Sequence, residues 1–382
     1  MEELSDSESS GEQMIIEMLI ENDDDEIISQ IRKPATNIIK RIRTNHYWND
    51  IYPILDARTY NHYYRKTRES ILKLRDLIYS YESNMYNDVL FLEKVLCMTV
   101  EYLASRSTLL AIGTKYNFSD GKTHEHTTNI LTILATTFHD SMVFWPSQIE
   151  KQAIANRFNS HKHMPMCIGV IDGTLVRTFG FYDKRQEMNT RKCHYGFNVL
   201  LICDDRGMVR QDWVDQAGSE ADSTILREST WYSDIHMHVS NTHTPLRPFY
   251  IISDKGIQGY TGIVTPFMEV GHVLDHRHLY FNAKLQGARA IIERVNGVLK
   301  SRYQAVGDGL RVSESKAEDM ISSAIALHNF DILNGDLCLF NDEFNVNLMQ
   351  IMNTTPTDIS DANLPIISTR SWLFEYMTRH ML

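Results

Sequence analysis

Residues 167–178 read CIGVIDGTLVRT. Ile168, Val170 and Ile171 form a short β-branched run, the pattern of an interior strand. Asp172 closes that run and is followed at once by Gly173 and Thr174. A carboxylate in such a place is costly to bury unless it is paired or binds a cation. Two further acids stand in comparable settings downstream. Asp254 ends the apolar run of FYIISDKG, and Glu293 lies within the helix-patterned ARAIIERVNGVLK. Two strand-end aspartates and a helical glutamate, in that order, form a set suited to holding divalent metal for phosphoryl transfer on nucleic acid.

Outward from this stretch the pattern is that of an α/β domain. YGFNVLLICDD and MVRQDWVDQAG are expected as second and third strands, joined through the turn Asp205-Arg206-Gly207. A helix is expected to start at Ser219 and run through EADSTILREST, with the serine as its N-cap. FYIISDKG is the fourth strand and VTPF the candidate fifth. A long helix follows over about 283–302, and another over SKAEDMISSAIALHNFDIL. Three antiparallel strands, a helix, a parallel strand and a helix give the ribonuclease-H-like order, a mixed five-stranded sheet flanked by helices. No GxGxxG or GxxxxGK occurs, which excludes the common nucleotide-binding loops.

Phosphodiester cleavage needs an activated nucleophile and a stabilised leaving oxygen, and two Mg²⁺ or Mn²⁺ ions can supply both. Hard oxygen donors suit such ions. Asp172 on the central strand is expected to bridge them, with Asp254 on one and Glu293 on the other. Asp222, in AGSEADSTILRES, has two readings: a further metal ligand at the rim, or an acid favoured by the helix N-terminus. Lys284, Arg289, Arg294, Lys300 and Arg302 lie on the glutamate's helix as expected DNA-phosphate contacts.

The chain has 382 residues, 43% hydrophobic, with a formal charge of −11. The charge is uneven. Residues 1–26 hold eleven acids and no Lys or Arg, leaving 38 of the 49 acids against 38 bases. The acidic total therefore does not exclude a nucleic-acid partner. Residues 1–31 form an acidic segment expected to be disordered, and its start lacks the basic and apolar regions of a secretory signal. No apolar run is long enough to span a membrane. Five unpaired cysteines without CxxC spacing fit a reducing compartment and no structural zinc.

Residues 32–150 are basic, aromatic and helical. Tyr60, Tyr63 and Tyr64 beside Arg65, Lys66 and Arg68 either stack on bases and hold phosphates or pack inside. Three helices are then expected: one over DVLFLEKVLCMTVEYLAS, a short one over TLLAIGTKYNF, and one from His124 to about Met142 after the turn SDGK. Short helix, glycine turn and longer helix form a helix-turn-helix-like layout. Residues 151–335 then make the α/β domain and 336–382 a C-terminal extension, whose STRSWLFEYMTRHML is a candidate interaction helix.

The blocks CIGVIDGT, KCHYGFNVLLICDDRG, AGSEADSTILRES, ISDKGIQGY, FNAKLQGARAIIERVNGVLKSRYQ and AIALHNF run in that order between residues 166 and 330. In this combination the chain resembles the PIF/Harbinger transposases and the Harbinger transposase-derived nucleases. The resemblance implies a DDE transposase or nuclease with Asp172, Asp254 and Glu293 as its triad and Asp222 as an additional ligand. It also implies a nuclear location, DNA as substrate and a separate Myb/SANT-like partner protein. Homo-oligomerisation and a domesticated protein that binds DNA without cutting it remain open. Lys255 departs from the family pattern, where a small residue more often follows the aspartate.

Overall fold

The computed structural model describes residues 45–82, 85–179, 195–243, 247–269, 273–336 and 369–379. The acidic segment 1–31 lies outside them. The quoted stretch forms β1 (Cys167–Arg177), at the centre of a five-stranded sheet. β2 (Gly196–Cys203) pairs antiparallel to β1, and β3 (Val209–Trp213) antiparallel to β2. On the other side β4 (Tyr250–Ile252) runs parallel to β1, and β5 (Ile263–Val264) parallel to β4. The order β3-β2-β1-β4-β5 is the mixed sheet expected from the sequence. Central strands covered on both faces read as continuous apolar runs, and Val199, Leu200, Leu201 and Ile202 of β2 are all fully buried.

Helices cover the sheet. In the helical region, α1 (Ala57–Tyr64), α2 (Arg68–Tyr81), α3 (Val89–Ala104), α4 (Leu109–Lys115), α5 (Asp120–Ala135) and α6 (Thr137–Met142) precede α7 (Gln148–Lys162). A capping box between Ser147 and Glu150 starts α7, which packs on β1. After β3 come α8 (Asp222–Glu228), α9 (Thr230–Ser233) and α10 (Ile235–Val239). The long helix α11 (His276–Arg302) lies across β1 and β2, followed by α12 (Gln304–Asp308), α13 (Glu314–Asn334) and α14 (Thr369–Thr378). The described residues from Asn45 onward form one compact unit, and their buried side chains make a single core.

Three local expectations are revised. The helix after β3 begins at Asp222, not Ser219. Residues 216–218 stay extended along β2, with Asn198 N–H donating to the Gln216 carbonyl at 3.0 Å and Gly218 N–H to that of Gly196 at 2.8 Å. The helix expected over 124–142 is two, because Thr136 at φ −115°, ψ −100° breaks it. The glutamate's helix starts earlier, at His276, where the Asp275 side chain accepts from His278 N–H.

The tyrosines pack inside. Tyr47, Tyr64 and Tyr116 form a buried hydroxyl chain at 2.9 and 2.8 Å, and Tyr52 donates to Glu93 at 2.7 Å. Tyr60 and Tyr64 are buried, as are Arg65 and Lys66. Arg68 lies over the Tyr52 and Tyr60 rings. Tyr60 and Tyr64 are therefore core, and the partly buried Tyr63 has the Lys115 ammonium 3.7 Å from its ring centre. In α5, Ile130, Leu131 and Leu134 point inward as expected. Its exposed Lys122 is bonded to Glu125, leaving that helix face poorly equipped for phosphates. The C-terminal helix is likewise occupied: Phe374 of α14 packs on Phe267 and Phe281, and Arg277 binds Thr378 and Glu375.

His328 in the AIALHNF block is fully buried on α13, with Nε2 2.9 Å from the Gly207 carbonyl. Burial pushes its pKa down to about 4, against ~6.5 for an exposed imidazole. Between these values the unfolded chain takes a proton that the folded chain refuses. The stabilisation is complete above about pH 6.5 and is lost toward pH 4, on the order of 3 kcal/mol. His328→Gln is expected to flatten this slope, read from urea midpoints at pH 4.5 and 7.

Candidate active site

β1 carries Asp172 into the middle of the sheet, opposite Leu201 of β2. The parallel register pairs Val170 with Ile252. Carried two residues further along both chains, it brings Asp254 level with Asp172. Beyond β4 the chain turns at once: Asp254 Oδ1 accepts the Gly256 N–H at 2.7 Å, an Asx-type turn that fixes the carboxylate. α11 supplies the third acid. Its buried positions Leu285, Ala288, Ile292, Val295 and Leu299 clamp it to the sheet, while Glu293 keeps 56% of its side chain exposed.

Asp222, the first residue of α8, comes in from the other side. Its Oδ1 accepts from Asn198 Nδ2 at 2.7 Å. The carboxylate lies directly over Gly173, where a Cβ would stand 2.3 Å from Oδ1. The glycine after Asp172 thus makes room for a second acid, a role that the sequence motif alone did not show. Asn198 was not singled out from the sequence; an amide inside an apolar strand is its only local signal.

Asp172 is the electrostatic centre. Burial pushes its pKa up to about 6; Arg289 opposes this, and Asp222, Asp254 and Glu293 add to it. Arg289 Nη2 is 3.5 Å from Asp172 Oδ1 and 4.0 Å from Glu293 Oε1. Arg289 therefore serves the acids as a counter-charge in this structure.

The other cations divide. At ~100° per residue, Arg289, Glu293 and Lys300 share one face of α11. Lys300 Nζ donates to the Leu175 carbonyl of β1 at 2.7 Å. Burial and the Arg177 charge lower its pKa to about 8. Lys284 falls about half a turn from Glu293, its ammonium near the Tyr280 ring. Arg294 lies about 100° round from the acid. Arg302 is a correction: it is 2% exposed, binding Asp331 at 2.7 Å and the Asp336 carbonyl at 2.8 Å, and is withdrawn from any DNA surface.

Among the described residues, no three His, Cys, Asp or Glu side chains are gathered into a metal-holding group. The kind of donor nevertheless fits a hard divalent cation. The acids that act on Asp172 are all carboxylates, and Mg²⁺ takes oxygen ligands and needs few from the protein. Cys97, Cys167 and Cys203 are buried thiols. No helix among the described residues is long and apolar enough to cross a membrane.

Residues 171–329 match the family described as DDE superfamily endonuclease. The chain is 22% identical over 240 residues to the Homo sapiens and Bos taurus proteins named "Putative nuclease HARBI1", covering 61% of this chain and 65% of each relative. The Xenopus laevis protein of that name is 22% identical over 235 residues, covering 60% of this chain and 64% of the relative. The match thus spans slightly less than two thirds of these relatives' length. No solved structure matches the chain significantly. The segment 171–329, which carries most of the mixed sheet, is thus similar to the DDE superfamily endonucleases and, at 22% identity, to proteins named as putative nucleases.

Proposed function

We propose that this chain is a divalent-metal-dependent DNA nuclease of the PIF/Harbinger transposase kind, cutting phosphodiester bonds by a two-metal mechanism. The observation that carries the reading is the placement of the acids: Asp172 on the central strand, Asp254 level with it just after β4, Asp222 over Gly173, and Glu293 one helical turn from the Arg289 that pairs with Asp172. Asp172, Asp254 and Glu293 would hold the metal, with Asp222 as a further ligand oriented by Asn198. Bound there, Mg²⁺ or Mn²⁺ supplies Lewis acidity and charge neutralisation to phosphodiester cleavage. Arg289 neutralises Asp172 and stands ready for a DNA phosphate, with Lys300 on the same helix face. A nuclear location, a Myb/SANT-like partner and self-association belong to the same proposal, on the strength of the family resemblance.

A second reading, a domesticated protein that binds DNA without cutting it, draws on the Arg289–Asp172 pairing and on the carboxylates not being gathered. Nicking of supercoiled plasmid separates the two. Cutting is expected with Mg²⁺ or Mn²⁺ and is expected to stop with EDTA. DNA binding with no cutting under either metal, the Myb/SANT-like partner included, would select the second reading.

A further inference from the structure

A cleft of about 680 Å³ opens where the helical region meets the far end of β1. Residues on its wall include His124, Arg311 and Lys316, and Arg106 paired with Asp308, the one acid among the described residues lining it. We propose that this cleft is a second DNA site, holding a single strand that passes on from the acids. The proposal rests on the nuclease reading above and extends it to the path of the substrate.

Position is the first support. Beyond Asp172, β1 runs to Arg177 and the chain goes on to Phe179, which is fastened to the segment after α12: Phe179 N–H donates to the Leu310 carbonyl at 2.8 Å, and Leu310 N–H to that of Arg177 at 2.9 Å. Seven residues at ~3.3 Å each separate Asp172 from Phe179 by roughly 20 Å, on the order of six nucleotides of stacked strand at ~3.4 Å apiece. Cations mark the way, with Lys300 on the Leu175 carbonyl and Arg177 exposed at the end of β1.

The second support is an aromatic ring that is exposed and yet held in place. Phe179 is 54% exposed. Gly309, at φ +111°, is what allows the ring to lie there: a Cβ would stand 2.4 Å from its Cε2. The Arg311 guanidinium lies 5.2 Å from the ring centre. An exposed aromatic beside a cation, in a basic groove, is the combination that receives an unpaired base and its phosphate. An acidic peptide would use the cations but has no need of a fixed ring.

The test is fluorescence anisotropy with a labelled duplex carrying a single-stranded 3′ overhang. It uses the full chain in EDTA, so that binding is read apart from cutting. Phe179→Ala is expected to weaken binding to the overhang duplex about tenfold and binding to a blunt duplex much less. Arg311→Ala is expected to reduce the slope of log affinity against log salt by about one. Both residues are exposed, and unchanged melting temperatures would confirm that the variants are folded. Wild-type affinity and slope in both variants would overturn the proposal while leaving the nuclease reading intact. Failure of the wild type to bind any DNA would overturn both. Loss of binding only to a synthetic peptide of residues 1–26, with DNA binding retained, would overturn it in favour of an acidic segment as occupant.

Discussion

Asp172→Asn is expected to reduce metal-dependent nicking by about a thousandfold or more, and at the same time to make the metal-free protein more stable. The two effects have one origin. Asp172 is pushed up to about pKa 6 by burial and by its acidic neighbours, so at pH 7.5 the folded protein carries a charge that the fold resists. A carboxyl raised from its ordinary ~3.9 contributes unfavourably once pH passes its folded value, and about 1–3 kcal/mol is released when the charge is removed. Asparagine keeps the shape and removes the charge. The melting temperature in EDTA should therefore rise, and the rise should shrink below pH 6, where wild-type Asp172 is itself protonated. Cleavage moves the opposite way, because a lost metal ligand forfeits several kcal/mol of transition-state stabilisation, and ~4 kcal/mol is about a thousandfold. Glu293→Gln should lose cleavage to a similar degree, but with 56% of its side chain in water it should leave the melting temperature nearly unchanged. Mg²⁺ should raise the wild-type melting temperature and not that of Asp172→Asn. A variant that still cuts, or one whose metal-free melting temperature falls, would remove Asp172 from the centre of the site.

That pairing of effects was only half legible in the sequence. The apolar runs before Asp172 and Asp254 declared strands because buried strands cannot tolerate polar residues, and Ile291, Ile292 and Val295 anchored the helix of Glu293. The triad could therefore be written down from local patterns. What local patterns could not supply is which cation faces Asp172. Arg289 and Lys284 look alike in sequence, yet helix geometry turns one toward the acids and the other about half a turn from Glu293. Asp222 was ambiguous for a similar reason. A helix-start aspartate serves many structures, and only the absence of a Cβ at Gly173, 49 positions earlier, gives its carboxylate a place beside the site. The tyrosine-rich stretch was the least legible. A run of Tyr, Arg and Lys is equally compatible with a base-stacking face and with a hydrogen-bonded core, and the partners that decide it, Glu93 of α3 and Tyr116 after α4, lie elsewhere in the chain.

Lys66 is the sharpest case of this kind, and it sets the second large prediction: Asp331→Asn should destabilise the protein by about 3–5 kcal/mol, whereas Lys66→Met should cost far less. Lys66, between α1 and α2, is fully buried and salt-bridged to Asp331 of α13. The same carboxylate binds Arg302 at 2.7 Å and accepts from the Tyr303 hydroxyl at 2.6 Å. One buried acid thus serves two buried cations. Burial alone drives the Lys66 pKa down, and Asp331 works against that. Replacing Asp331 by Asn leaves both buried cations without the carboxylate that bonds them, with only Asp336 nearby as counter-charge, an arrangement that costs several kcal/mol. Replacing Lys66 by Met removes one desolvated charge and leaves Arg302 and Asp331 paired, and exchange of a buried ion for an apolar side chain is often close to neutral. Thermal melts should show Asp331→Asn lower by about 6–10 °C, at ~2 °C per kcal/mol for a unit of this size, and Lys66→Met within a few degrees of wild type. The network also bears on the site. Arg302 is the last residue of α11, nine positions after Glu293, so loosening its anchor frees the end of the helix that presents the acid. Asp331→Asn should accordingly lose nicking activity even below its melting temperature, and Lys66→Met should retain it. Equal destabilisation by the two substitutions would mean that Lys66, and not the shared carboxylate, holds the segment between α1 and α2 to α13.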